Sequence, residues 1–295
     1  MRDWIFSAGV TSIARGAGLR DRMLGRLRAM RRLAREGTHP VSRHAIASGG
    51  RMLDAVLVKP QQQVRATLLI CHGIGETVEY WTGVQHLLAS KGVASLVFDY
   101  SGYGRSRGAV VDWRRCEEDS VAAFEYLTTM RVGAPVSLLG FSMGSGIATA
   151  ILPRTSPDRL VLCAAFTSFR DAACSFGVPH MCAGVLPAIW SGEAPLRLWR
   201  RPVLIVHGER DRRLPVSMAR RLAQWCGPGT ELVVAEGYRH NQPFLRPRLA
   251  FWGPVAEWLT AENAARRTGT EGCEAEECRF RFVSRELAAG ERCPG

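Results

Sequence analysis

The sequence predicts an α/β fold, a mainly parallel sheet with helices on both faces, and three observations carry that prediction. Short apolar runs of strand length recur through the middle of the chain, and longer amphipathic stretches separate most of them. A Gly-x-Ser-x-Gly pentapeptide sits where one run gives way to a stretch of small residues. At 295 residues the chain is long enough to bury one large core of this kind. A composition of 46% hydrophobic and 22% charged residues excludes collagen-like and wholly disordered alternatives. No stretch approaches the roughly 18 consecutive apolar residues of a membrane-spanning helix.

Taken in order, residues 1–42 form an arginine-rich preface. Leu19, Met23, Leu24, Leu27, Met30 and Leu33 share one helical face, and Arg20, Arg22, Arg26, Arg28, Arg31, Arg32 and Arg35 occupy the other. A basic amphipathic helix over residues 19–35 fits peripheral contact with an anionic membrane surface. The alternative is a solvated helix docked on its own domain. No apolar signal core with a cleavage site follows Trp4-Ile5-Phe6, so the chain reads as cytoplasmic, with membrane-peripheral contact through 19–35 as the open point. The domain spans residues 43–261. Ala45–Ile46 and Ala55–Val58 around Ser48-Gly49-Gly50 read as an antiparallel edge hairpin. Ala66–Ile70, Val93–Phe98, Val136–Leu139, Leu160–Ala165, Val203–Val206 and Glu231–Ala235 read as strands. Tyr80–Ser90, Trp113–Met130, Met143–Leu152, Val216–Trp225 and Arg248–Leu259 read as the helices between and after them. Residues 262–295 turn polar and Glu-rich and read as a flexible tail.

The net charge of +12 invites a nucleic-acid reading, but half of the excess lies in residues 1–36, where nine arginines face Asp3, Asp21 and Glu36. Lys59 and Lys91 are the only lysines, a skew more typical of a GC-rich genome than of a phosphate-binding surface. Nucleic acid is therefore not an expected partner. Nine cysteines at irregular spacing, several inside apolar runs and none in a Cys-x-x-Cys pair, point to buried thiols in a reducing compartment rather than to a metal site.

Gly140-Phe141-Ser142-Met143-Gly144 directly follows the run Val136–Leu139 and precedes Ser145-Gly146-Ile147-Ala148. A serine on so tight a strand-to-helix turn is held up from the sheet edge as a nucleophile. Serine needs a base, and the base an orienting acid. In such an architecture these follow in the order acid, then histidine. Of the seven histidines only His180, His207 and His240 follow Ser142. His180 lies in the insert between strands and His207 ends a strand, whereas His240 lies in a loop past Glu231–Ala235; His240 is the base by elimination. Asp211, in His207-Gly208-Glu209-Arg210-Asp211, is the preferred acid, with Glu209 as its local rival. An oxyanion needs backbone donors. The Met143 N–H is one, and the loop Cys71-His72-Gly73-Ile74-Gly75-Glu76 offers the Ile74 N–H as the second. His72 reads as a structural hydrogen-bonder and Glu76 as a loop organiser. Gly102-Tyr103-Gly104-Arg105-Ser106-Arg107-Gly108 looks like a dinucleotide loop, but its third glycine comes one residue late. No Walker motif or metal cluster appears, and no cofactor is implied.

Five motifs in order, Cys-His-Gly-Ile-Gly-Glu, Phe98-Asp99-Tyr100-Ser101-Gly102-Tyr103-Gly104-Arg105-Ser106, the Gly-Phe-Ser-Met-Gly turn, His-Gly-Glu-Arg-Asp and Gly-Tyr-Arg-His, resemble those of the α/β-hydrolases. The likeness covers about residues 66–261 and is nearest to monoacylglycerol-lipase, serine-aminopeptidase-like and depalmitoylase-like serine hydrolases. It implies an α/β-hydrolase fold with a short cap, a triad of Ser142, Asp211 and His240, and oxyanion donors at Ile74 and Met143. It does not imply one substrate.

The cap falls at about 167–201, where Phe169, Phe176, Val178, Met181, Val185, Leu186, Ile189, Trp190 and Trp199 make the insert apolar. An apolar lid suits an acyl chain, worth roughly 0.8 kcal/mol per buried methylene, though plain packing on the domain would use the same residues. The reading is a serine hydrolase for a small-molecule carboxylic ester or thioester with an apolar acyl group. An aminopeptidase-like peptidase or an acyltransferase on the same scaffold is the alternative. Against the peptidase, the cap holds only Asp171 and Glu193 as acids for a free amine.

Overall fold

The computed structural model describes residues 39–106, 112–261 and 279–283. The basic stretch at 19–35 and most of residues 262–295 lie outside them. Among the described residues nine strands form one sheet: β1 Val41–Ser48, β2 Arg51–Val58, β3 Ala66–Cys71, β4 Val93–Phe98, β5 Val136–Phe141, β6 Leu160–Cys163, β7 Val203–Gly208, β8 Thr230–Ala235 and β9 Arg279–Val283. Their spatial order is β1-β2-β4-β3-β5-β6-β7-β8-β9. β1 and β2 form an antiparallel hairpin in which Ser48 pairs Arg51, and β2 pairs antiparallel with β4. Every other pairing is parallel, from β4 through β9. The last of these is a departure from the sequence reading. The stretch expected to be a polar tail carries an edge strand, with Glu231 opposite Arg279 and Ala235 opposite Val283. Its Arg-Phe-Arg-Phe-Val alternation is the period of a strand, and it stands alone in a polar context.

Among the described residues eight α-helices connect or follow the strands: α1 Val78–Ala89, α2 Trp113–Thr129, α3 Met143–Ile151, α4 Phe169–Ser175, α5 Glu193–Leu198, α6 Val216–Trp225, α7 Gln242–Leu245 and α8 Leu249–Thr260. β3, β4 and β5 are buried along their whole length, as strands covered on both faces must be. Alternate residues feed two cores. Leu69 and Leu138 join Phe124 of α2, Ile147 of α3 and Leu222 of α6 on one face. Leu68, Ile70 and Leu139 join Trp81 and Leu88 of α1 and Trp252 and Leu259 of α8 on the other. Among the described residues no helix is long and apolar enough to cross a membrane.

Chain order places the site. After β3 the chain moves outward to β4 and then returns to the other side of β3 as β5. The crevice outside the carboxyl ends of such strands, where the winding reverses, is where open α/β sheets bind ligands. Asp112 accepts a hydrogen bond from the Arg114 amide at the start of α2, and Ser168 does the same for the Asp171 amide at the start of α4. The latter opens the insert between β6 and β7 that holds α4, a 3-10 turn at His180–Val185 and α5.

Trp252 is fully buried, packs against Trp81 with ring centroids 5.8 Å apart, and donates from its indole nitrogen to the Pro243 carbonyl at 2.8 Å. Trp252→Ala is expected to lower unfolding free energy by about 3–5 kcal/mol in a urea titration; a loss below about 1 kcal/mol would mean that α8 does not secure this face of the sheet.

Candidate active site

Ser142 stands at the junction of β5 and α3 with φ 51° and ψ −118°, a conformation that side chains rarely adopt and that costs on the order of 1–3 kcal/mol. The flanking glycines explain how the turn is tolerated. A methyl group on Gly140 would strike the Gly144 carbonyl and the Ser145 Cα, and one on Gly144 would strike the Cys71 carbonyl at the end of β3. Only glycine lets the strand, the helix and the neighbouring strand come this close. Ser145 braces the turn from within, its hydroxyl donating to the Ser142 carbonyl at 2.6 Å.

The three residues singled out as nucleophile, base and acid lie in series. The Ser142 hydroxyl donates to His240 Nε2 at 2.9 Å, and His240 Nδ1–H donates to Asp211 Oδ2 at 2.6 Å. The tautomer follows from the partner, because a carboxylate can only accept. All three are buried. Asp211 is fixed through its other oxygen, which accepts from the Arg213 and Leu214 amides at 2.9 and 3.0 Å. Burial pushes the Asp211 carboxyl up, but the His240 hydrogen bond and charge and the Leu214 amide outweigh it and hold the group below its ordinary value. The carboxylate is therefore the form facing His240. Glu209, the rival acid, does other work: it accepts from the Gly237 amide at 3.0 Å and so ties the β7 loop to the loop that carries His240. His207, set aside by its position, also contributes. Its Nε2–H donates to the Leu214 carbonyl at 2.8 Å and lies 3.6 Å from Asp211 Oδ2, which steadies the turn from which Asp211 projects. Burial lowers its pKa, so this approach is not an ion pair.

The loop after β3 lies against Ser142. A methyl on Gly73 would come within 3.2 Å of the Ser142 Cβ and 2.5 Å of Glu76 Oε1. Ile74, half-buried, follows in this loop, and the Met143 amide is at the first position of α3, where helix N–H groups have no intrahelical acceptor. His72 is fully buried and donates from Nδ1 to the Gly73 carbonyl at 2.8 Å. Burial pushes its pKa down to about 4, so its Nε2, 3.9 Å from Asp99 Oδ1, makes no salt bridge near neutral pH. Asp99 instead accepts from the Val78 amide at 2.8 Å and the Arg105 amide at 3.1 Å. It thereby joins the start of α1 to the Ser101–Ser106 turn.

Glu76 is the least obvious part. One of its oxygens accepts from the Gly73 amide and from the Trp81 indole, each at 2.9 Å, and no cation pairs with it among the described residues. Burial pushes its pKa up to about 8 in spite of these two bonds. A neutral carboxyl holds the loop without placing a negative charge in it. Sequence spacing could flag Glu76 as a loop organiser, but its partner Trp81, five residues on, reads as an ordinary core aromatic. Among the described residues no three His, Cys, Asp or Glu side chains converge as a metal-holding group.

A family profile described as "Serine aminopeptidase, S33" matches residues 62–191, from before β3 through the root of the cap. Lysophosphatidylserine lipase ABHD12 of Macaca fascicularis is 26% identical over 217 residues, covering 62% of this chain and 54% of that protein. The chain thus spans about half the length of the curated relatives it matches. The esterase domain of a Rhodothermus marinus protein superposes with a TM-score of 0.58 at 21% identity over 77% of this chain and 99% of its own. An Exiguobacterium antarcticum esterase gives 0.58 at 19% identity over 74% and 99%. The fold is that of the α/β-hydrolases. The chain is similar to serine hydrolases of that superfamily.

The raised pKa of Glu76 has a sign that can be checked. A group that holds its proton more tightly when folded adds stability below its unfolded value, near 4.5, and loses it as pH rises through about 8. Glu76→Gln is therefore expected to flatten the decline of melting temperature between pH 5 and 9. Parallel wild-type and variant curves would show that Glu76 is charged in the folded protein.

Proposed function

We propose that the protein hydrolyses a carboxylic ester or thioester with an apolar acyl group, through an acyl-enzyme on Ser142. The observation that carries the reading is the hydrogen-bonded series Ser142–His240–Asp211 at the mouth of the switch-point crevice. His240 takes the Ser142 proton as the hydroxyl attacks the carbonyl. The Ile74 and Met143 amides receive the oxyanion, and Asp211 stabilises the imidazolium. His240 then protonates the leaving group, and water repeats the sequence to release the acid.

The names of some relatives support an acyl ester of lipid type, since several of those matched over the domain are lysophosphatidylserine lipases. The cap supports it too: Phe169 and Trp190 stack edge to face at 6.1 Å, and Trp190 and Phe166 crowd Gly146 on the helix that Ser142 leads. The peptidase reading has the name of the matching profile in its favour. Against it, the two carboxylates of the cap are engaged elsewhere. Asp171 accepts from Thr167 Oγ1, and Glu193 pairs with Arg197 at 3.1 Å. A cytoplasmic, membrane-peripheral setting completes the proposal.

Hydrolysis of p-nitrophenyl esters from C2 to C16 tests it. Ser142→Ala is expected to lower kcat by about a thousand-fold or more, and the wild-type rate is expected to rise with chain length through the medium range. A flat rate from C2 to C12 would remove the apolar acyl group from the proposal. Undiminished turnover in Ser142→Ala would remove the mechanism.

A further inference from the structure

The glycine-rich turn at 99–106, which follows β4, has no part in the reaction as written above, yet it is fastened along its length. The Ser101 amide donates to Asp119 Oδ2 of α2 at 2.7 Å, and the Ser106 hydroxyl oxygen accepts from the Asp54 amide of β2 at 2.9 Å. Gly104 has a φ of 45°, and a methyl group there would strike the Asp99 carboxylate, so the turn can fold over Asp99 only with glycine at this position. Tyr103 lies between these anchors. Its amide donates to the Tyr100 carbonyl at 2.8 Å and its carbonyl accepts from the Ser106 amide at 2.9 Å, which fixes its backbone on both sides.

The Tyr103 side chain is buried, with its ring 5.4 Å from that of His72 and 5.6 Å from that of Tyr100. Packing alone would be served as well by phenylalanine, which has no hydroxyl to satisfy. The Tyr103 hydroxyl instead reaches both segments that carry the proposed oxyanion donors. Its oxygen accepts from the Gly75 amide, and its O–H donates to Met143 Sδ at 3.9 Å. The neighbouring Tyr100 has a different partner, the His72 carbonyl, to which it donates at 3.1 Å.

The amides of the loop after β3 show what the Tyr103 contact accomplishes. The Gly73 amide donates to Glu76 Oε2 at 2.9 Å, the Glu76 amide to the Gly73 carbonyl at 3.4 Å, and the Gly75 amide to Tyr103. Ile74 lies between two engaged amides, and its own N–H has no acceptor among the described residues. Glycines at 73 and 75 give this loop little stiffness of its own. Because each peptide unit is planar, pinning the units on either side restricts the direction in which the Ile74 N–H points.

We propose that Tyr103 is a positioning residue for the oxyanion site, setting the direction and spacing of the Ile74 and Met143 N–H groups through the Gly75 amide and the Met143 side chain. This rests on the serine-hydrolase reading above and adds to it a residue from outside the triad and outside both donor-bearing segments. Donors aimed in advance at developing charge act on the transition state rather than on bound substrate, so the contribution of Tyr103 belongs in kcat and not in KM.

The test compares full-length wild type with Tyr103→Phe, which removes the hydroxyl and keeps the ring. Two rates are read: hydrolysis of p-nitrophenyl butyrate, and covalent labelling by a fluorophosphonate, whose phosphoryl oxygen takes the oxyanion position as the serine attacks phosphorus. Both kcat and the labelling rate are expected to fall about ten-fold, less than the hundred-fold or more that follows outright loss of a donor. KM is expected to stay within about two-fold, and the melting temperature to be unchanged. If the variant melts early, both rates are read well below its midpoint, with the same expectation. Equal rates in the two proteins, or a loss confined to KM, would overturn the proposal and leave the hydrolase reading standing. A wild type that neither turns over the ester nor takes the label would overturn the hydrolase reading, and the proposal with it.

Discussion

The close passage of three backbones at the Ser142 turn is the constraint on which the rest of the site depends. β5 reverses into α3 over a serine in a strained conformation, and Gly144 brings that helix against the carbonyl of Cys71 at the end of β3. The loop that follows β3 carries Gly73 and Ile74. One steric fit therefore fixes both the serine and the loop proposed to meet the oxyanion. A single Cβ at position 144 would push the two apart. Strain of this sort persists only where surrounding structure holds it, and the fully buried β3, β4 and β5 supply that support.

Around this fit, the buried polar groups follow a consistent electrostatic pattern. Charge is kept where it aligns His240, on Asp211, whose carboxylate is supported by amide donors. Charge is suppressed beside the serine. Burial keeps His72 neutral and holds the Glu76 proton near neutral pH, while both anchor the loop by hydrogen bonds to Gly73. Asp99, pushed up by burial to about 7, secures the next turn through two amides. His72, Glu76 and Asp99 thus position backbone through hydrogen bonds, with burial disfavouring charge on each.

Much of this was legible in the sequence because its cues are local. Strand-length apolar runs, a Ser-Gly-Gly hairpin and the Gly-Phe-Ser-Met-Gly turn have fixed spacing, and they led to the mainly parallel sheet and to Ser142. His240 and Asp211 could be singled out by order along the chain, since each strand end of a parallel sheet delivers its loop to the same edge. Contacts between distant segments were not legible. Glu209 reads as the local rival of Asp211, yet it accepts from Gly237, 28 residues away. Trp81 looks like core and also serves Glu76. β9 escaped notice because five alternating residues in a polar stretch carry a weak signal until β8 offers an edge.

The central claim is that Ser142 is a nucleophile activated by His240. It is tested most directly by treating the protein with a fluorophosphonate and mapping the adduct by mass spectrometry. The account predicts one phosphonyl group, on Ser142, and a strong loss of labelling in His240→Ala. An unlabelled protein, or an adduct on any other residue, would contradict it.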